Sequence, residues 1–286
     1  MTDSSEPRRP DPTPTHASGR AQTQAQTQAQ EQDQAQTKAQ AREQAEGEAQ
    51  PPVPSPTPAP SPTQATFDHL LHTLPVWHPS RTQLPSFDTE SAPDTPLPLF
   101  HDWFAQAAAA GQAEPQTMSL ATSDEDGRAD VRIVMLHGAD AEGWWFATHA
   151  GSRKGRQLRT TPYATLGFYW SVQGRQVRVR GAVRAQSGEA GQADLRARST
   201  GALASALVGR QSELLDSYDQ LARASEAAWK RAGREPDAQA PSWTLYLLEP
   251  DEVEFFQGDI HRRHVRLRYR RSAHQPPIWQ KELLWP

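Results

Sequence analysis

The thirteen residues FATHAGSRKGRQL (146–158) carry an apolar run straight into glycine, serine and three basic side chains. Such a transition suits an anion. The stretch SRKGRQLRTTP (152–162) has the composition of a short helix stopped by Pro162, and Ser152 stands where an N-cap belongs. The first turn of a helix has free N–H groups and the positive end of the dipole, to which Arg153 and Lys154 add full charges. That is phosphate-binding chemistry, although GSRKGR lacks the spacing of a P-loop. A solvated basic face is the competing reading. Arg132, inside the apolar run VRIVML, is a second candidate, because an arginine is costly to bury without an anionic partner. At a strand edge it would simply reach solvent.

The elements that must position these residues are legible from periodicity. TPLPLFHDWFAQAAAAGQ (95–112) reads as a helix with an apolar stripe through Leu99 and Trp103 and with Gly111 near its end. From Met118 the period becomes two. MSLATSD and ADVRIVMLHG form a predicted hairpin across DEDG, and GWWFATHA follows, so that a meander would set the Arg132 strand beside FATHA. YATLGFYWSV and RQVRVRGAVRAQ are two further strands. In the second, Val177, Val179 and Gly181 alternate with Gln176, Arg178 and Arg180. Residues 188–232 are helical in composition, with Leu214, Leu215, Tyr218, Leu221 and Ala222 at spacings of three and four. Three strand candidates close the chain. Five or six antiparallel strands with a few helices predict an α+β fold built on a small β-barrel.

Composition sets the outer bounds. Residues 21–50 cycle through Ala, Gln, Thr and Glu, and 51–62 are proline-rich, so neither segment can bury a core. Residues 1–65 are therefore expected to be a disordered tail, either a docking arm or a dispensable extension, followed by a linker over 66–94 and one domain over 95–286. With no cysteine, disulfides and thiolate chemistry are excluded, and no metal site is expected. No apolar run of membrane length occurs, which predicts a soluble, cytoplasmic protein. The net charge of −4 hides arginine clusters at 153–180 and 261–271, which bind anions, nucleic acid being one candidate.

RIVML (132–136), FATHAGSRKGRQL, RQV (175–177), RQS (210–212) and EFFQGDIHRRHVRLRY (254–269) stand in the order and approximate spacing of the pyridoxamine/pyridoxine 5'-phosphate oxidase family, which the chain resembles over about 97–286. The resemblance implies an FMN-binding split β-barrel, a homodimer with two FMN molecules at the subunit interface, and O2 as acceptor. It implies that Arg132, Arg153, Lys154 and Ser212 hold the FMN phosphate and its surroundings, with Ile133 and Val134 beside Arg132. Thr148, Gln176, Gln211 and Arg266 would line the rest of the cofactor site, as would Phe256, which stands where the family usually has Trp. Arginines suit phosphate and glutamine amides suit the polar edge of a flavin ring. Arg262 and His264 match the family's substrate-contacting R-x-H element.

The substrate end departs from the family. Vitamin B6 phosphate oxidases follow RIVLL with a lysine that reaches the substrate phosphate, and this chain has His137. Their Tyr, Arg and Ser on the same phosphate align, with a one-residue insertion nearby, to Asp194, Arg198 and Ala202. An aspartate facing a phosphate is repulsive. The chain also resembles the phenazine-biosynthesis flavin oxidases, which lack the lysine, in FATHA, YW (169–170) and RQSE (210–213). A dihydrophenazine-type substrate is therefore the first expectation. A B6 phosphate oxidase, a non-catalytic flavin- or haem-binding barrel and a nucleic-acid binder are the alternatives.

Overall fold

A computed structural model of the chain describes residues 63–74, 77, 83–272 and 278–286. The tail expected over 1–65 lies outside these residues except at its end. There a helix, α1 (Gln64–Thr73), is capped by the Thr63 side chain, crosses the expected tail–linker boundary and buries none of its residues.

The remaining elements begin with α2 (Pro96–Ala109). Its prolines occupy the first turn, where N–H groups have no intrahelical acceptor and proline costs little. Leu99, Phe100, Trp103 and Ala107 recur at helical spacing and are buried. The Phe100 ring meets Trp144 and Phe168 edge-on at 5.4 and 5.2 Å between centroids, which anchors the helix on the sheet.

Among the described residues nine strands form one antiparallel sheet: β1 (Thr117–Ser123), β2 (Ala129–Met135), β3 (Gly138–Ala139), β4 (Trp144–His149), β5 (Tyr163–Trp170), β6 (Arg175–Ala185), β7 (Trp243–Gln257), β8 (Val265–Arg271) and β9 (Trp279–Leu283). The order is β2-β1-β5-β6-β7-β4-β3, with β8 on β7 and β9 on β8. Strand β7 explains why the sheet splits. Its first half pairs with β4 and its second half with β8, while β6 runs along its other edge from Tyr246 to Gln257. The β6–β7 register shifts at Arg180/Gly181, where a side-chain carbon on Gly181 would lie 1.9 Å from the Glu249 carbonyl oxygen, so only glycine fits the bulge.

The β1–β2 hairpin forms across DEDG as predicted, and β6 alternates as predicted, with Val177 and Val179 buried. Two expectations need correction. Among the described residues the sheet has nine strands rather than five or six, and β2 is not paired with β4: it pairs with β1, and β4 pairs with β3 and β7. The curl of the sheet, and not hydrogen bonding, brings β2 and β4 to one cavity.

Residues 153–160 form α3 (Arg153–Thr160), and the later helices are α4 (Gly188–Arg196), α5 (Thr200–Val208) and α6 (Tyr218–Arg234). Each of these four has a serine N-cap whose hydroxyl accepts from a backbone N–H. Leu195, Leu203, Ala204, Ala206, Ala232 and Ala240 form a second, smaller core. The apolar stripe read across 214–222 is not a packing face. Gly209, at φ +69°, ends α5, Ser217 starts α6, and Leu214 between them is 95% exposed; α6 buries Ala228 and Ala232 instead. Among the described residues no helix is long and apolar enough to cross a membrane.

Candidate functional site: an anion cradle and a carboxylate-centred corner

Strand β4 delivers the chain to the turn before α3, and local chemistry shapes that turn. Ser152 Oγ accepts from the Gly155 N–H at 3.2 Å, which closes the first turn. Gly155 itself is dictated by space, since a side-chain carbon there would lie 2.5 Å from the carbonyl oxygens of both His149 and Ala150. The backbone N–H of Arg153 donates to Ser212 Oγ at 3.2 Å, tying the segment after α5 to the helix start. Ser212 holds φ +73°, a left-handed conformation unfavourable for a non-glycine residue.

The basic side chains converge on this turn. Lys154, 8% exposed, donates to Thr148 Oγ1 at 3.2 Å and to Gln211 Oε1 at 2.9 Å. Burial, then repulsion from Arg132, holds its ammonium pKa below the usual lysine range. Arg132 donates to Thr122 Oγ1 at 2.6 Å and to Gln157 Oε1 at 3.2 Å. Asp130 lies 2.8 Å from Arg132 and 3.4 Å from Arg153, so two arginines share one carboxylate while Lys154 beside them bonds only neutral oxygens. Arg132 is thus a part-buried arginine with the anionic partner that its apolar setting required. An incoming phosphate would find donors in place and would relieve the mutual repulsion of the cations.

A cavity of about 530 Å3 opens here. Strand β2 lines it with Arg132, Ile133 and Val134, and His137 follows two residues beyond the strand. Thr148 comes from β4, Arg153 and Lys154 from α3, and Gln211 and Ser212 from the segment after α5. Nine of the expected site residues therefore meet at one cavity of a size that suits a cofactor. A concavity of about 580 Å3 elsewhere, lined by Pro96, Trp144 and Trp279 among others, contains none of them.

The other expected residues form a separate group. Gln176, Phe256 and Arg266 stand opposite one another across β6, β7 and β8 and do not line the cavity. Arg266 donates to Glu254 at 2.8 Å, and Arg178 pairs with the same buried carboxylate. His264 packs on Phe256 at 5.1 Å, and its Nδ1 accepts the Asp259 N–H at 3.0 Å, which leaves Nε2 to carry the proton of the neutral ring. Arg262 precedes it at φ +65°.

Arg198 does not line the cavity either. It reaches the site through Asp194, whose Oδ1 accepts from Arg198 at 2.8 Å and from His137 Nδ1 at 2.9 Å, while Oδ2 accepts from Trp243 Nε1 at 3.2 Å. Burial raises the Asp194 carboxyl, but the hydrogen bonds from His137, Arg198 and Trp243 outweigh it and hold the pKa down at about 2.

Sequence reasoning missed several contributors. Asp130 was accessible in principle, because residues two apart on a strand share a face. Ser205 and Trp243 line the cavity, and Trp77 meets His264 edge-on at 5.7 Å; nothing local in the sequence marks these three.

Comparison with known proteins fits this arrangement. The pyridoxamine 5'-phosphate oxidase family pattern matches residues 104–254, and the pyridoxine 5'-phosphate oxidase C-terminal dimerisation region matches residues 243–286. Relatives named pyridoxine/pyridoxamine 5'-phosphate oxidase include one from Burkholderia lata, 39% identical over 201 residues, which are 70% of this chain and 94% of that protein. Another, from Burkholderia multivorans, is 41% identical over 199 residues, 70% of this chain and 92% of its own. Among solved structures, PhzG from Burkholderia lata in complex with tetrahydrophenazine-1-carboxylic acid superimposes with a TM-score of 0.65 at 29% identity, covering 71% of this chain and 99% of PhzG. A pyridoxamine 5'-phosphate oxidase-related, FMN-binding protein from Nostoc punctiforme shares the fold, with a TM-score of 0.53 at 20% identity over 65% of this chain and 97% of that one. By matched sequence and by fold, this chain is a member of the pyridoxamine 5'-phosphate oxidase family, oxidase-type enzymes built on a split barrel.

Proposed function

We propose that the protein is an FMN-dependent oxidase that works as a homodimer and removes two electrons from a reduced nitrogen-containing ring, with O2 as acceptor and a dihydrophenazine-type compound as substrate. The observation that carries this reading is the cradle at the start of α3, where Arg132, Arg153 and Lys154 surround a capped turn that only glycine at 155 permits. Its donor set fits a phosphate monoester such as that of FMN.

In this reading Arg132, Arg153, Lys154 and Ser212 hold the phosphate, while Thr148 and Gln211 are fixed by Lys154 for the next part of the cofactor. Ile133 and Val131 are 66% and 63% exposed on β2, an apolar edge that a second copy of the chain would cover. The row Gln176–Phe256–Arg266 would then complete the site from that copy, which accounts for its distance from the cavity of its own chain. Bound FMN supplies the two-electron acceptor chemistry that the side chains lack. The protein holds the substrate ring, shields it from water and presents a donor at His264 Nε2 and a charge at Arg262.

The direct test is to load the purified chain with FMN, remove unbound flavin and follow O2 consumption. The expected result is a yellow protein that consumes O2 with a dihydrophenazine carboxylate; a protein that stays colourless overturns the proposal. The names of the relatives at 39–41% identity favour a second reading, oxidation of pyridoxine or pyridoxamine 5'-phosphate. Faster turnover of that substrate than of the phenazine in the same assay would establish it.

A further inference from the structure

The Asp194 corner carries a consequence for what the cavity admits. An ionised carboxylate only accepts hydrogen bonds, so His137 must donate from Nδ1, and Asp194 takes three donors on its two oxygens. The His137 and Asp194 side chains are 10% and 9% exposed, so the bond between them is largely shielded from water. His137 and Trp243 form cavity wall, and Asp194 sits behind both. Arg198 and Asp194 are one cation and one anion that cancel, and the His137 Nδ1 donor is already committed to the same carboxylate. An approaching phosphate meets donors already committed and a fixed negative charge at close range.

We propose that Asp194 is a specificity-determining residue, a built-in counter-anion that occupies the donors of this corner and makes the cavity select substrates whose end facing His137 and Trp243 bears no phosphate. This rests on the oxidase reading and names the class of substrate it would take. The substrate end that fits is an uncharged ring edge able to pack on Trp243 and His137, whose own rings lie 6.4 Å apart at a 31° tilt. Any carboxylate on such a ring must face away from Asp194, because two like charges at this range in a partly dry site repel strongly.

Asp194 also ties α4 to the sheet through Trp243, so a purely structural role has to be separated from a selective one. The measurement is the ratio of affinities for pyridoxal 5'-phosphate and pyridoxal, by calorimetry on the full-length chain supplied with FMN. The wild type should bind the two within about threefold of each other. Asp194→Asn keeps the shape but removes the charge and should tighten the phosphate ester at least tenfold with pyridoxal unchanged. A structural role alone would move both ligands together. A wild-type preference for the phosphate ester above tenfold, or a ratio that Asp194→Asn leaves unmoved, overturns the proposal. Should Asp194→Asn fail to fold, the wild-type ratio and that of His137→Lys, expected to rise toward the phosphate ester, still decide it. Flavin retention is scored separately by colour and bears on the oxidase reading alone.

Discussion

Two basic clusters border the same cavity, the second only through His137, and they keep their charge differently. In the cradle, Arg132 and Arg153 share a single carboxylate, Asp130, and Lys154 bonds the neutral oxygens of Thr148 and Gln211, so cationic charge remains for a ligand. In the corner, Arg198 and His137 share Asp194, which also takes Trp243, and little is left over. Most of both sets of basic residues was visible in the sequence; what differs is the ratio of cation to carboxylate, which decides whether a cluster binds an anion or merely holds itself together. The cradle has thus kept an open charge, while the corner has closed its own.

The comparison breaks first at Gly155. Alanine there must displace the backbone carbonyls of His149 and Ala150, neither of which has a flexible end to give way. The expected outcome is a loss of about 3 kcal/mol in stability together with loss of FMN retention, read by thermal unfolding and flavin titration. Retention of FMN by Gly155→Ala would mean that the tight turn is not what shapes the cradle.

A finer cut pits one arginine against the other. Arg132→Met should lower FMN affinity roughly thirtyfold, the equivalent of about 2 kcal/mol for a charged hydrogen-bonding partner, whereas Arg198→Met should change it less than twofold. Flavin fluorescence titration of both variants gives the contrast, and equal losses would erase the distinction between the clusters.

The smallest effect is in acid. The Asp194 pKa is depressed from its ordinary 3.8 to about 2, so its contribution to stability is fully present above the unfolded-state value, near 4, and disappears as pH falls through about 2. After allowance for solvent screening this amounts to about 1–2 kcal/mol. Denaturant midpoints for wild type and Asp194→Asn should therefore converge between pH 4 and pH 2, and parallel curves would contradict the depressed carboxyl.

Local patterns were legible in the sequence, and long-range partnerships were not. Ser152 as a cap, the hairpin across DEDG and the alternation along β6 each depend on neighbours within a few residues, and all are found in the structure. The pairing of β2 could not be read that way, because the edge of β4 is taken by β7, a strand far along the chain that no local pattern links to it. His137 and Asp194 are 57 residues apart, so their bond had no local signature; in sequence Asp194 reads as a charge facing the ligand and in the fold as one facing its own chain. The stripe across 214–222 misled for the opposite reason: its spacing is helical, yet Gly209 and Ser217 interrupt the helices before Leu214 can use it.

Ser212 and Arg262 are both non-glycine residues held at positive φ, and both belong to segments expected to touch ligand. Each such conformation costs roughly 1–2 kcal/mol. Laboratory evolution toward heat resistance alone would find glycine at 212 and 262 among its easiest gains and would, by the same steps, delete the hydroxyl and the guanidinium that these two backbone turns aim. Robustness and aim are opposed in this barrel at two identifiable backbone positions, so a thermostable variant should be sought anywhere else first.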